Sequence, residues 1–218
     1  MFSKIASRYD LLNHVLSFNA DRGWRRRAVR AAKLPSRGRV LDACSGTGDV
    51  AIEFARRSQQ SAVVGVDLSG GMIGVGVEKT RKAGVHWVEG NVLDLPFGPG
   101  CFDAVTIAFG LRNLIHREQG IGEMARVLRS GGRLVVLEFA PPGHGLFQRV
   151  YRLYLRSVVP TIGALLSGDG GAYRYLATSV GDFLEPELVL DLMGAAGLRE
   201  LCAEPLTGGI AYIYSAEK

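Results

Sequence analysis

Between Arg39 and Phe139 the chain alternates short runs that are mostly apolar with longer stretches whose apolar residues recur every three or four positions. The short runs, Arg39–Cys44, Ala62–Asp67, Val85–Glu89, Phe102–Phe109 and Arg133–Phe139, predict strands. Their β-branched side chains, without polar alternation, suit a sheet buried on both faces. Asp49–Ser58 and Arg117–Leu128 predict helices, and "GMIGVGVEKTRKA" predicts a third that its glycines weaken. Strand and helix in this alternation predict a doubly wound, mostly parallel α/β domain.

From Ala140 the pattern changes. A Pro-Pro turn precedes the basic and aromatic helix pattern "LFQRVYRLYLRSVV", and a Gly-rich loop, "SGDGGAYRYL", leads to a last helix near Pro186 to Ala196. Two strand candidates follow, Leu198–Glu204 and Gly209–Ala216. The loop around Thr207 and Gly208 is short, which predicts an antiparallel pair at one sheet edge. The expected organisation is a single domain with an N-terminal helical segment over 1–37, a ligand-binding core over 38–139, a cap insertion over 140–197 and a C-terminal strand pair over 198–218.

No apolar run approaches the roughly 18 residues of a membrane span, and the first residues lack the apolar core of a secretory signal, so a cytoplasmic protein is expected. Cys44, Cys101 and Cys202 stand at wide, unrelated spacings, which argues against a disulfide framework and against a metal site. The formal charge of +5 is uneven, with Arg22, Arg25, Arg26, Arg27, Arg30, Lys33, Arg37 and Arg39 crowded together. A solvated helix face and a contact with anionic membrane lipid both fit such a run. A nucleic-acid partner is not expected, because Trp24 is the only aromatic within it.

The candidate chemistry lies at the carboxyl ends of the predicted strands, where a doubly wound sheet binds ligands. After the first strand come Asp42, Gly46, Thr47, Gly48 and Asp49, and the second ends at Asp67, placed to accept ribose hydroxyls. "GTGDVA" satisfies G-x-G-x-x-G/A, so a nicotinamide dinucleotide and S-adenosylmethionine both fit the loop. Charge separates them. A pyrophosphate would face Asp42 and Asp49, whereas S-adenosylmethionine brings an ammonium and a sulfonium. On that reading Asp42 or Asp49 holds the amino group, Asp67 the ribose, and Met72 packs on the adenine. In "EGNVLDLPF", the Val92 backbone and the side chain of Asn91 or Asp94 meet the base edge.

"VLDACSGTGDVA", "VDLSGGMI", "GNVLDLPF", "FDAVTIAFGLRNL", "RVLRSGGRLVVLEF", "YRYLATSV" and "LTGGIAYIY" resemble, in order and spacing, the class I S-adenosylmethionine-dependent C-methyltransferases of menaquinone and ubiquinone biosynthesis. The resemblance runs from about Tyr9 to Tyr214, and "FGLRN" and "YRYL" are its most specific parts. It implies a seven-stranded sheet with an antiparallel last strand and methylation of a ring carbon of a polyprenylated quinol, demethylmenaquinol becoming menaquinol. It also implies cofactor contacts at Thr47, Asp67, Asn91 and Val92, while a further cofactor position, often serine in the family, falls on Ala108, where the contact is lost or passes to backbone. Arg112 and Asn113 become the catalytic candidates, as donors to a developing oxyanion. Tyr9, Tyr173 and Tyr175 are candidates for the substrate wall, and His116 is a base candidate set against its reading as an exposed loop residue. The cap would hold an isoprenoid tail while Arg149, Arg152 and Arg156 touch anionic headgroups. A methyltransferase for another small hydrophobic acceptor, a non-catalytic S-adenosylmethionine-binding protein and a homodimer all remain open.

Overall fold

A computed structural model describes residues 14, 17–58, 60–143, 145–159, 161 and 170–218. Its strands are β1 (Arg39–Ala43), β2 (Ala62–Asp67), β3 (Val85–Glu89), β4 (Phe102–Ala108), β5 (Leu128–Phe139), β6 (Arg199–Leu206) and β7 (Ala211–Glu217). They form one sheet in the order β3-β2-β1-β4-β5-β7-β6. The first five are parallel, and β7 runs antiparallel between β5 and β6. The described helices are α1 (Ala20–Ala31), α2 (Asp49–Arg57), α3 (Gly70–Thr80), α4 (Arg117–Val127), α5 (Leu146–Leu153), α6 (Gly170–Gly181) and α7 (Pro186–Ala195).

Alternate strand residues point to opposite faces, and each face has its own apolar cluster. Leu41, Val105, Leu134 and Val136 pack with Ile121 and Met124 of α4 and Val189 and Met193 of α7. Val40, Val63, Val135 and Leu137 pack on the other side with Trp24 and Ala28 of α1 and Phe54 of α2. Burying a side chain such as Phe54, 1% exposed, contributes about 1.5–3 kcal/mol. Trp24 fixes α1 by meeting Phe139 edge-on at 6.0 Å and donating its indole N–H to Thr207 Oγ1 at 3.0 Å.

One glycine of α3, Gly76, has a packing cause that it shares with Gly65 of β2 and Gly48 before α2. A Cβ on Gly76 would lie 2.5 Å from the Trp87 ring, and Cβ atoms on Gly65 and Gly48 would lie 2.9 and 2.8 Å from it. The indole needs that space and is anchored by its N–H donating to Thr80 Oγ1 at 2.9 Å. Gly76, Gly65 and Gly48 therefore admit a tryptophan, and the ring packs on the helix where Gly76 lowers its propensity.

Three expected elements differ. The glycine turn before Arg133 lies inside β5, where Gly131 takes φ 72° and donates its N–H to the Lys218 carbonyl. The Gly-rich loop turns helical at Gly170, where α6 begins, while 162–169 lie outside the described residues. The expected helix after Leu146 continues beyond α5 as a π-helical turn, Tyr154–Val158.

Candidate active site

The carboxyl ends of β1, β2 and β4 and the turn after β3 enclose a cavity of about 410 Å³. Since β2 and β4 flank β1, the order of the sheet switches direction there, and the connections leave a crevice. Two non-glycine residues at the rim have left-handed backbone, Cys44 (φ 51°) after β1 and Phe109 (φ 56°) after β4. Such conformations cost ~1–3 kcal/mol each and persist where the surroundings over-determine them. Phe109 is held by its N–H donating to the Leu137 carbonyl at 2.7 Å. Gly110 is required beside it, because a Cβ there would lie 2.7 Å from Cys44 Cβ.

Among the described residues, the charged lining consists of the carboxylates Asp42, Asp49 and Asp67 and the guanidinium of Arg25. Asp67 accepts from the Gly46 N–H at 2.8 Å and the Ser69 N–H at 2.9 Å, which fixes it while leaving acceptor sites for hydroxyl donors. Asp42 is 1% exposed and accepts from Ser45 Oγ at 2.6 Å and Thr106 Oγ1 at 2.8 Å. Burial raises its carboxyl to about 6, although those hydroxyls and the charge of Arg25 act in the other direction. Burial also works against ionisation of Asp49, but Arg25 at 3.5 Å and Lys79 at 2.7 Å outweigh it and hold that carboxyl below its ordinary value. The Cys44 thiol is pushed up to about 12, by burial first and then by Asp67, Asp42 and Glu138, so it supplies no thiolate.

Of the residues singled out from sequence, Asp42, Gly46, Thr47, Asp67, Met72, Asn91, Val92, Ala108 and Asn113 line the cavity. Gly48 does not; its φ of 85° and the Trp87 ring behind it account for the glycine. Asp94 lies outside as well, its N–H donating to the Asn91 carbonyl at 3.0 Å. His116 is an exposed residue at a separate surface depression with Leu184 and Leu188. Tyr9 lies outside the described residues, and so does the side chain of Tyr173, which falls on α6. Tyr175, farther along that helix, donates its hydroxyl to Asn113 Oδ1 at 3.1 Å.

The structure places Arg112 away from the cavity. Its side chain is absent from the cavity lining, and its Nη1 pairs with Glu138 Oε1 at 2.7 Å and donates to the Phe109 carbonyl at 2.5 Å. Glu138 is 0% exposed, and a carboxylate removed from water needs a paired cation. That pairing draws the guanidinium beneath the turn Leu111–Asn113 and leaves Asn113 facing the cavity.

Sequence reading missed the cavity role of Arg25, placing it only within a basic run. Asp21, Trp24, Ala28 and Val29 are the buried positions of α1, and Arg25 follows Asp21 by one helical turn. Asp21 accepts from Ser17 Oγ at 2.6 Å, from Arg25 and from the His14 ring at 2.7 Å. That amphipathic spacing was the available signal.

The ubiE/COQ5 methyltransferase family profile matches residues 1–218. A demethylmenaquinone methyltransferase of Thermus thermophilus is 49% identical over 220 residues, covering 100% of both chains. A ubiquinone/menaquinone biosynthesis C-methyltransferase UbiE of Geobacter sulfurreducens is 48% identical, covering 100% of this chain and 87% of its own. Among solved structures, a SAM-dependent methyltransferase of Thermotoga maritima superposes with a TM-score of 0.70 at 20% identity, covering 100% of this chain and 97% of that one, a likeness of fold. With the match spanning the full length and nearly half the positions identical, the chain belongs to the ubiE/COQ5 methyltransferase family.

Proposed function

We propose that this methyltransferase transfers a methyl group from S-adenosylmethionine to a ring carbon of a polyprenylated quinol, demethylmenaquinol becoming menaquinol. The observation that carries the reading is the charge of the cavity, three carboxylates and one guanidinium around the first two strand ends. A donor with a sulfonium and an ammonium suits that field, and a pyrophosphate opposes it. The acceptor class comes from relatives named for demethylmenaquinone.

S-adenosylmethionine, when bound, supplies an electrophilic methyl group, and the chain contributes alignment and exclusion of water. Asp42 would hold the ammonium, since its partners are neutral hydroxyls, whereas Asp49 is already paired with the cations Lys79 and Arg25. Asp67 receives the ribose hydroxyls, Met72 packs on the base, and Asn91 and Val92 meet its edge, with Gly46 and Thr47 shaping the loop. On the acceptor side, Asn113 donates one amide N–H to the Phe109 carbonyl at 3.3 Å, which leaves a second for a phenolic oxygen. That oxygen gains negative charge as the ring carbon becomes nucleophilic, so a fixed donor lowers the barrier. Tyr175 orients the amide through its hydroxyl and forms part of the substrate wall. Arg112 is a positioning residue that holds the turn carrying Asn113.

Among the described residues no helix is long and apolar enough to cross a membrane. Val150 and Leu153 on α5 are 62% and 65% exposed, and Arg149 and Arg156 are exposed nearby. Exposed apolar side chains flanked by cations are the composition of a surface that rests on anionic lipid, from which a long-tailed quinol would be drawn. Flotation with anionic vesicles tests this: Val150→Asp with Leu153→Asp should abolish binding, and undiminished flotation refutes the contact.

The reaction is tested by incubating the protein with methyl-labelled S-adenosylmethionine and reduced demethylmenaquinone, or its benzoquinol counterpart. Label on the ring carbon is expected with the naphthoquinol; no label on either ring refutes the reading.

A further inference from the structure

Arg25 comes from α1, outside the strand ends that form the rest of the site, yet its guanidinium lines the cavity and its side chain is only 11% exposed. It lies over the Phe109 ring, 5.5 Å from the centroid. Asp21 fixes it from behind, and that carboxylate is itself held by Ser17 and His14. Burial works against ionisation of Asp21, but the Ser17 hydrogen bond and the charge of Arg25 outweigh it and hold its carboxyl below the ordinary value. Ahead of Arg25 stand Asp49, at 3.5 Å, and Asp42, whose ionisation its charge assists.

The methionine portion of S-adenosylmethionine carries an ammonium and a carboxylate on one carbon. Three lining carboxylates can receive cations, but they repel the carboxylate. The start of α2, where exposed N–H groups would ordinarily attract an anion, has Asp49 in its first turn. Arg25 is therefore the lining group with the charge, rigidity and donor geometry to receive a carboxylate between two acidic neighbours.

We infer that Arg25 is the receptor for the α-carboxylate of S-adenosylmethionine, held in place by the Ser17–Asp21–His14 cluster. The inference rests on the proposed cofactor. It makes α1 part of the cofactor site and lets a pocket rich in negative charge accept a zwitterionic amino-acid end.

The test compares S-adenosylmethionine with its decarboxylated analogue, which keeps the sulfonium and the ammonium and lacks only the carboxylate, by titration calorimetry. The analogue has the greater positive charge, so carboxylates alone would favour it. Wild type is expected to prefer S-adenosylmethionine by about tenfold to a hundredfold, the worth of a hydrogen bond to a charged group. Arg25→Gln should lose or invert that preference while binding the analogue at least as well. The double variant Asp21→Asn with Arg25→Gln leaves no buried carboxylate stranded and should behave like the single variant; Arg25→Lys should retain part of the preference. An undiminished preference in the folded Arg25→Gln protein or in the double variant overturns the inference, as does a wild type indifferent to the carboxylate. A raised KM for the quinol with an unchanged preference would also overturn it, assigning Arg25 to the acceptor. Failure of wild type to bind either compound is a different outcome, which removes the cofactor reading and the inference together.

Discussion

At the glycine-loop end of the cavity, Asp42, Asp49 and Asp67 are each held by two partners. At the other end, Asn113 is oriented by a hydrogen bond from Tyr175 of α6, a residue that is 41% exposed. The first end sits on parallel strands whose register places Asp42 beside Thr106, so sheet geometry fixes the site. The second depends on a hydrogen bond from α6, a helix outside the sheet's ladder. On the proposed reading, cofactor geometry is built into the core, while the acceptor side rests on fewer contacts and has more room to adapt.

The largest expected effect lies beneath the turn between the two ends. Glu138→Ala strands a buried guanidinium and should cost about 3–5 kcal/mol in urea unfolding. Arg112→Met with Glu138→Gln should recover much of that loss while keeping an acceptor for the Arg112-position N–H. If the double variant folds well, binds the cofactor and retains methyl transfer, Arg112 acts through position; stable protein without turnover would return it to direct contact with the acceptor.

Asp42→Asn follows. Burial places the Asp42 carboxyl at about 6 rather than 3.8, so the fold prefers its protonated form. The resulting stabilisation is complete below about 3.8 and is lost as pH rises through about 6. The asparagine variant does not titrate there, so without cofactor its relative stability should rise across that window, by up to roughly 3 kcal/mol at pH 7.5. It should also bind S-adenosylmethionine far more weakly, and wild-type affinity should decline below pH 6. Thermal melts across pH, with and without cofactor, read both effects; a variant less stable than wild type at pH 7.5 would contradict the cost assigned to the buried charge.

Asn113→Ala is expected to lower kcat by about 10²-fold, the loss of one donor to a developing oxyanion, with cofactor affinity unchanged. Tyr175→Phe should cost about threefold to tenfold in kcat/KM, since it removes one hydrogen bond. Steady-state assays with a short-tailed quinol measure both, and an equal effect of each on cofactor affinity would dissolve the distinction between the two ends.

The strands and the loop chemistry were legible because they follow from local pattern: β-branched runs, glycines at a strand exit, and acids at strand ends. Gly76 of α3 misled, since its cause, Trp87, comes from the next strand. Arg112 was legible as unusual but its direction was not, because its partner Glu138 is 26 residues away. Arg25 was hidden in a basic run, although one-turn spacing from Asp21 marked it as a residue of the buried helix face. Pattern finds groups that local backbone geometry places, and loses those that a distant partner draws aside.

The decisive measurement is titration calorimetry of the wild-type protein at neutral pH with S-adenosylmethionine and, separately, with a nicotinamide dinucleotide. Carboxylates at the first two strand ends require uptake of the sulfonium compound and little or none of the dinucleotide. Tight uptake of the dinucleotide with no heat from S-adenosylmethionine would contradict the account.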